Sequence, residues 1–191
     1  SPPGREVLAR LQREVIDAAA DKQPRLTLET GVLTRYRQRL YWVPNALFDA
    51  PPARSHWQLD QPLRLGVLQI TSSRAGAETT ATAESILQGQ LRVPAAFSVL
   101  EVRFSQGGER ILRHGQHQQI SEIWRVAGIP PWLRCWLPLF YVNAELVAAA
   151  GIGIADNRQT EQDDTMVSWA LVAEVDGDST FLSGEAHARN Q

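Results

Sequence analysis

The sequence predicts an α+β fold: a helix plus a small antiparallel sheet, a connector, then a compact mixed C-terminal domain of strands around one helix. Three observations predict it. Near the N-terminus, apolar residues recur at helical spacing, at Leu8, Leu11, Val15 and Ala18-Ala19. Further on, Trp57–Asp60, Leu63–Ile70 and Phe97–Phe104 alternate apolar and polar residues, the period of a half-buried strand. Finally, Ser121–Tyr141 holds a short amphipathic helix, a glycine stop, a Pro130-Pro131 corner and an apolar strand in immediate succession.

Taken in order, residues 5–21 form the first helix, with Arg10, Arg13, Glu14 and Asp17 opposite its apolar face, and Pro24 ends it. Leu26–Glu29 and Val32–Tyr36 flank Gly31 as a hairpin, and Arg39–Val43 adds a third strand closed by Pro44. Residues 44–56, with Pro44, Pro51 and Pro52, read as connection. Trp57–Asp60 and Leu63–Ile70 are strands. Residues 71–90, rich in Ser, Thr, Ala and Gly, have little apolar anchorage and read as a loop, with one helical turn at Ala83–Leu87. Phe97–Phe104 is a strand, Gly107-Gly108 a turn, and Arg110–Arg113 a strand pairing back. Ile120, Ile123, Trp124 and Ala127 form one face of the second helix. Leu139–Val142 and Leu146–Ile154 are strands joined at Asn143-Ala144. Asp156–Thr165 is a polar loop and Met166–Val175 a closing strand. The resulting division is 1–70, a connector 71–96, a domain 97–175 and a loose tail 176–191.

The apolar fraction, 43%, and six tryptophans supply a core and exclude a disordered chain. No apolar run approaches the ~20 residues a membrane helix needs, so no membrane partner is expected. The start, Ser1-Pro-Pro-Gly, lacks a signal layout and an initiator Met and reads as a trimmed end. A lone Cys135 excludes an internal disulfide and a cysteine metal cluster, and fits a cytoplasmic location. The net charge of −2 is unusual for a nucleic-acid binder. Its distribution matters more. Lys22 is the only lysine, and residues 101–134 hold Arg103, Arg110, Arg113, Arg125 and Arg134 against Glu101, Glu109 and Glu122. Arginine is the residue suited to forked phosphate contacts.

Several chemistries fall away. His114 and His117 lack the third ligand a zinc site needs. Asp156, Glu161, Asp163 and Asp164 do not match a calcium loop. Gly151-Ile-Gly-Ile lies in a strand and opens no helix, so it is no dinucleotide loop. His56 and His187 have no nucleophile beside them in sequence, and Cys135 reads as inert. Trp132 and Trp136 read as core beneath the proline corner, and Tyr36 and Tyr41 as hairpin packing rather than base-stacking platforms. What stays is cationic. Arg35, Arg37 and Arg39 alternate and so share one strand face, a stripe suited to RNA phosphates. Arg113, Arg125 and Arg134 surround the second helix and the corner, where they would hold a backbone rather than read bases.

The segment Ala127-Gly-Ile-Pro-Pro-Trp-Leu-Arg134, followed by Leu137-Pro-Leu-Phe-Tyr141 and Glu145–Gly151, resembles the C-terminal domain of bacterial tRNA(Ile)-lysidine synthases. Val99–Phe104 with Gly107-Gly108 resembles the strand that opens that domain. Leu8–Asp21 and Tyr36–Trp42 resemble the end of the same family's middle, substrate-binding domain. Together these segments cover about residues 5–43 and 97–172, in the family's order. The resemblance implies that 97–175 binds tRNA, that tRNA(Ile) is the partner, and that His114 and His117 contact RNA. It also implies that the activity is an ATP-dependent ligation of lysine to a wobble cytidine. That chemistry would belong to an N-terminal domain with a Ser-Gly-Gly-x-Asp-Ser phosphate loop and ATP with Mg, a loop this sequence does not contain. On this reading the chain itself is non-catalytic and holds no cofactor. Where the family carries Gly-Arg and paired lysines, this chain has Gly115-Gln116 and Ser121-Glu122. The alternative reading is a scaffold or self-association module, a homodimer, with weak RNA affinity.

Overall fold

A computed structural model describes residues 9–10, 12–16, 24–74, 85–158 and 164–172. The mixed α+β class holds: the described residues form several antiparallel sheets with few helices. Most of the helix expected over 5–21 lies outside the described residues. Its described part is helical at 9–10 and a single wide π turn at Gln12–Ile16, with Val15 fully buried. Residues 83–84 of the expected helical turn fall outside too, and its remainder, 85–87, is strand; the 176–191 tail and residues 159–163 of the polar loop also lie outside. Among the described residues no helix is long and apolar enough to cross a membrane.

The first sheet is the expected three-stranded meander, β1 (Arg25–Thr27), β2 (Gly31–Tyr36) and β3 (Arg39–Pro44). Its first turn is closed by the Leu28 amide on the Gly31 carbonyl, and the buried Thr34 hydroxyl donates to the Pro24 carbonyl at 2.9 Å. Gly31 is fixed by packing, because a Cβ there would meet the Trp42 ring at 2.6 Å. A 3-10 turn, Asn45–Phe48, then drops Leu47 into the main core.

Two larger sheets share that core. One has five strands in the order β13-β12-β11-β8-β4: β4 (Arg54–Gln58), β8 (Val99–Phe104), β11 (Pro138–Val142), β12 (Glu145–Ala149) and β13 (Gly153–Ile154). The other has four in the order β5-β6-β14-β7: β5 (Leu63–Leu65), β6 (Leu68–Arg74), β7 (Ser85–Pro94) and β14 (Asp164–Val172). Period-2 alternation sends Val167, Trp169 and Leu171 of β14, Leu68 and Ile70 of β6, and Leu91 and Val93 of β7 inward. They meet Trp57, Leu100, Val102, Phe104 and Phe140 of the five-stranded sheet. A short hairpin, β9 (Arg110–Arg113) with β10 (Gln116–Gln119), leads into α1 (Ile120–Val126), and one helical turn, α2 (Pro131–Arg134), follows.

Five sequence expectations are corrected. The stretch 71–96 supplies strands as well as connection: 71–74 continue β6, and Ser85–Pro94 is a ten-residue strand paired along β14. Its polarity misleads because Gly89 lies opposite Trp169, whose ring fills the space a Cβ at Gly89 would take, at 2.6 Å. Leu63–Ile70 is a hairpin rather than one strand, turned at Gly66 with φ +56 beneath Trp136. Arg110–Arg113 pairs forward with Gln116–Gln119 instead of back onto β8. Leu146–Ile154 folds at Gly151, φ +71, so that β13 returns onto β12. The division at residues 70 and 97 is also crossed: β4 pairs with β8, and β6 pairs with β14.

Candidate nucleic-acid interface

Helix α1 carries the site, and its end is built by local chemistry. Gly128 takes φ +79, the left-handed conformation that closes a helix. The Gly128 amide donates to the Arg125 carbonyl at 3.1 Å and the Ile129 amide to the Trp124 carbonyl at 3.0 Å, the two bonds of a Schellman end. Pro130 and Pro131 prevent the helix from continuing, and Pro131 opens α2 in the first-turn position it favours. Trp124 and Ile120 anchor α1, Trp124 by donating its indole N–H to the Ala150 carbonyl at 2.8 Å. Trp132, Leu133 and Trp136 bury the corner, as expected.

The hairpin β2–β3 docks against this corner. The rings of Tyr36, Tyr41 and Trp132 pack edge-on, with centroids 5.6 to 6.5 Å apart. Three guanidinium groups converge there. Arg37 donates from Nη2 to the Arg125 carbonyl at 2.5 Å. Arg134 donates from Nε to the Ile129 carbonyl at 2.7 Å and from Nη2 to the Tyr36 hydroxyl at 3.2 Å. Arg125 forms a forked pair with Glu122, at 2.8 and 2.6 Å, while both side chains stay more than half exposed. The Arg125 guanidinium holds the Glu122 carboxyl below its ordinary range.

The arginine stripe does not form. Arg37 and Gln38 are the two turn residues, with φ 47 and 67, and Tyr36 faces Arg39 while Arg35 faces Leu40. Facing residues share a side, so Arg35 and Arg39 point to opposite faces of the hairpin. Arg39 is exposed beside Tyr36; Arg35 is half-buried on the other face. Arg113, His114 and His117 lie near the turn of the β9–β10 hairpin ahead of α1, where Arg113 faces Gln116 and His117 faces Leu112, so that these two point to opposite faces. His114 and Gly115 make the turn, with φ 52 and 72, and the Gly115 amide donates to the Asp156 carboxylate at 3.0 Å. Both histidines are exposed there. No group of three or more metal-ligating side chains occurs among the described residues.

Sequence reasoning missed a cluster on the outer face of β4, β8 and β11. Arg103 lies over the Tyr141 ring, 4.2 Å from its centroid, and donates to Glu101 at 2.7 Å, with Arg54 3.6 Å from the same carboxylate. The signal was available in the Glu101–Arg103 alternation, but the cross-strand partners were not. The Gly107-Gly108 turn, for its part, folds around a carboxylate. Glu109 accepts from the Ser105 hydroxyl and from the Gln106 amide, both at 2.6 Å. Burial pushes the Glu109 carboxyl up most strongly, yet these bonds with those from the Gly107 and Glu109 amides outweigh it and leave its pKa lowered. A lowered folded-state pKa stabilises fully above the unfolded value and is lost as pH falls through the folded one. Glu109→Gln should therefore flatten the loss of denaturation midpoint that the wild-type chain shows on acidification below about pH 4.5. An unchanged pH profile would refute a role for this carboxylate. Cys135 is half-buried and its thiol is pushed up by that burial, in keeping with an inert residue.

With this geometry in place, comparison with known proteins is direct. Residues 1–41 match the TilS substrate binding domain, and residues 100–171 match the TilS substrate C-terminal domain. The chain belongs to the tRNA(Ile)-lysidine synthase family. The tRNA(Ile)-lysidine synthase of Serratia proteamaculans (strain 568) is 34% identical over 163 residues, covering 84% of this chain and 34% of the relative. That of Proteus mirabilis (strain HI4320) is 34% identical over 177 residues, covering 88% and 37%. The chain thus spans about a third of the length of the curated relatives it matches. Among solved structures, a crystal structure of the TILS C-terminal domain is similar with a TM-score of 0.45 at 17% identity, covering 62% of this chain and 97% of that one.

Proposed function

We propose that this chain is the tRNA-holding part of a tRNA(Ile)-lysidine synthase. Its relatives carry that name, and the two matched domains are described as substrate-binding and substrate C-terminal. In the full reaction, ATP with Mg would activate the wobble cytidine of a minor isoleucine tRNA, and lysine would displace AMP. The residues of this chain would hold the tRNA body and thereby lower the entropic part of the barrier. The partner is tRNA(Ile) and the location cytoplasmic. Its RNA contacts would come from Arg39 and Arg125 at the corner and from Arg113, His114 and His117 at the hairpin tip, all to the backbone. The observation that carries the reading is the match of two domains of one enzyme family, in that family's order, with guanidinium groups gathered at the corner.

Titration of the chain with tRNA(Ile) across a salt series tests it. Binding should weaken steeply with salt, by a slope of about −0.9 per duplex phosphate neutralised. Glu122→Gln, which frees Arg125 from its forked pair, should tighten binding about three- to tenfold at low salt. Salt-independent or undetectable binding would overturn the proposal. A second reading, self-association, draws on Leu40 and Trp42 of β3, 46% and 45% exposed on one face of the β2–β3 hairpin. Sedimentation of the free chain separates the two.

A further inference from the structure

We propose that Arg37 is a positioning residue, which caps α1 from the neighbouring hairpin and so fixes where Arg125 projects. The inference rests on the tRNA-holding reading for its functional consequence and on the geometry for its substance.

Helix α1 has seven residues, too few to hold its shape unaided. The last carbonyls of any helix lack partners within it, and its C-terminal end carries partial negative charge. Here the Ile123 carbonyl accepts the Ala127 amide, the Trp124 carbonyl the Ile129 amide, and the Arg125 carbonyl the Gly128 amide. The Arg125 carbonyl also accepts the Arg37 guanidinium, reached across 88 residues of sequence. A cation on that carbonyl is the favourable partner for this end of the helix.

Both sides of the contact are shaped for it. Arg37 occupies a positive-φ turn position, where Asn or Gly would be less strained. Gly128 leaves open the space that Arg37 fills, because a Cβ there would stand 2.7 Å from Arg37 Nη1. From the other side Arg134 holds the Ile129 carbonyl and ties it to Tyr36 of the same hairpin. Two guanidinium groups thus grip one helix end, and their hydrogen bonds go to protein atoms. The carbonyl that Arg37 holds belongs to the residue whose side chain faces out. Loss of Arg37 would act on RNA through Arg125.

The test is a tRNA titration of the full 191-residue chain as Arg37→Ala, Arg37→Lys, Arg125→Ala and the double variant Arg37→Ala/Arg125→Ala. Arg125→Ala should reduce the salt slope by about one phosphate's worth. Arg37→Ala should weaken binding in the otherwise wild-type chain and add nothing once Arg125 is gone, since coupled residues are non-additive. Arg37→Lys should restore most of the affinity, because an ammonium also donates to a carbonyl. Full additivity, or no loss in Arg37→Ala while Arg125→Ala weakens binding, would overturn the proposal. If the wild-type chain fails to bind tRNA, the tRNA-holding reading falls by itself. The cap is then judged by hydrogen exchange: Arg37→Ala should speed exchange of the Gly128 and Ile129 amides about tenfold while the β8 and β14 amides keep their rates. Unchanged exchange at those two amides would sink it.

Discussion

Trp124→Ala should cost about 3–5 kcal/mol, the range for removing a large aromatic from a core. Trp124 is fully buried and joins two parts of the fold. Its ring lies under α1, and its indole N–H holds the Ala150 carbonyl at the bend where β12 turns back toward β13. Truncation leaves a cavity beneath a seven-residue helix that has little intrinsic stability, and it leaves a buried carbonyl without its donor. Against a typical total of about 5–15 kcal/mol, that is roughly a fifth or more of the fold's stability. Urea denaturation measures it. Trp124→Phe, which keeps a ring but loses the donor, should fall between the two. A midpoint for Trp124→Ala equal to wild type would show that α1 is not anchored through this side chain.

The second large effect is at Gly128. Gly128→Ala forces a Cβ into the left-handed region, at a cost of roughly 1–2 kcal/mol. The same methyl group would stand 2.7 Å from Arg37 Nη1 and drive that guanidinium off the Arg125 carbonyl. Losing a charge-assisted hydrogen bond at an exposed site adds about 1 kcal/mol. The expected total is about 2–3 kcal/mol. In an Arg37→Ala background the second part should vanish, leaving the backbone cost alone. Gly→Ala commonly stabilises where the backbone permits it. A neutral or stabilising Gly128→Ala would therefore contradict the described helix end.

The helix end itself was legible in the sequence, because Gly128, Pro130 and Pro131 act on their own neighbours and need no tertiary partner. So were the meander, β8 and the inward face of β14, where alternation marks one buried side. What escaped was decided by contacts distant in sequence. Residues 85–90 look like linker because Trp169 supplies the apolar volume that Gly89 lacks. The forward pairing of β9 escaped because Gln116–Gln119 carries no apolar residue to mark it as a strand. The arginine stripe failed for a local reason. A two-residue turn at Arg37-Gln38 uses neither Gly nor Asn, so the alternation across it looks continuous. The family resemblance pointed to the right segments, but only coordinates reveal that Arg37 and Arg134 bond to backbone carbonyls.

The strand order has a consequence for a broken chain. Strands β4, β5 and β6 precede residues 75–84, whereas β8 and β14, which pair with β4 and β6, follow. A cut within 75–84 would therefore sever one peptide bond without separating the pieces. The first piece would keep one strand of the five-stranded sheet and two of the four-stranded sheet, the second piece the others, and the β4–β8 and β6–β14 ladders would clasp one to the other. The first piece lacks the strands against which its apolar residues pack, so the chain is suited to reconstitution from two polypeptides, with recovery of the assembled form as its own reporter.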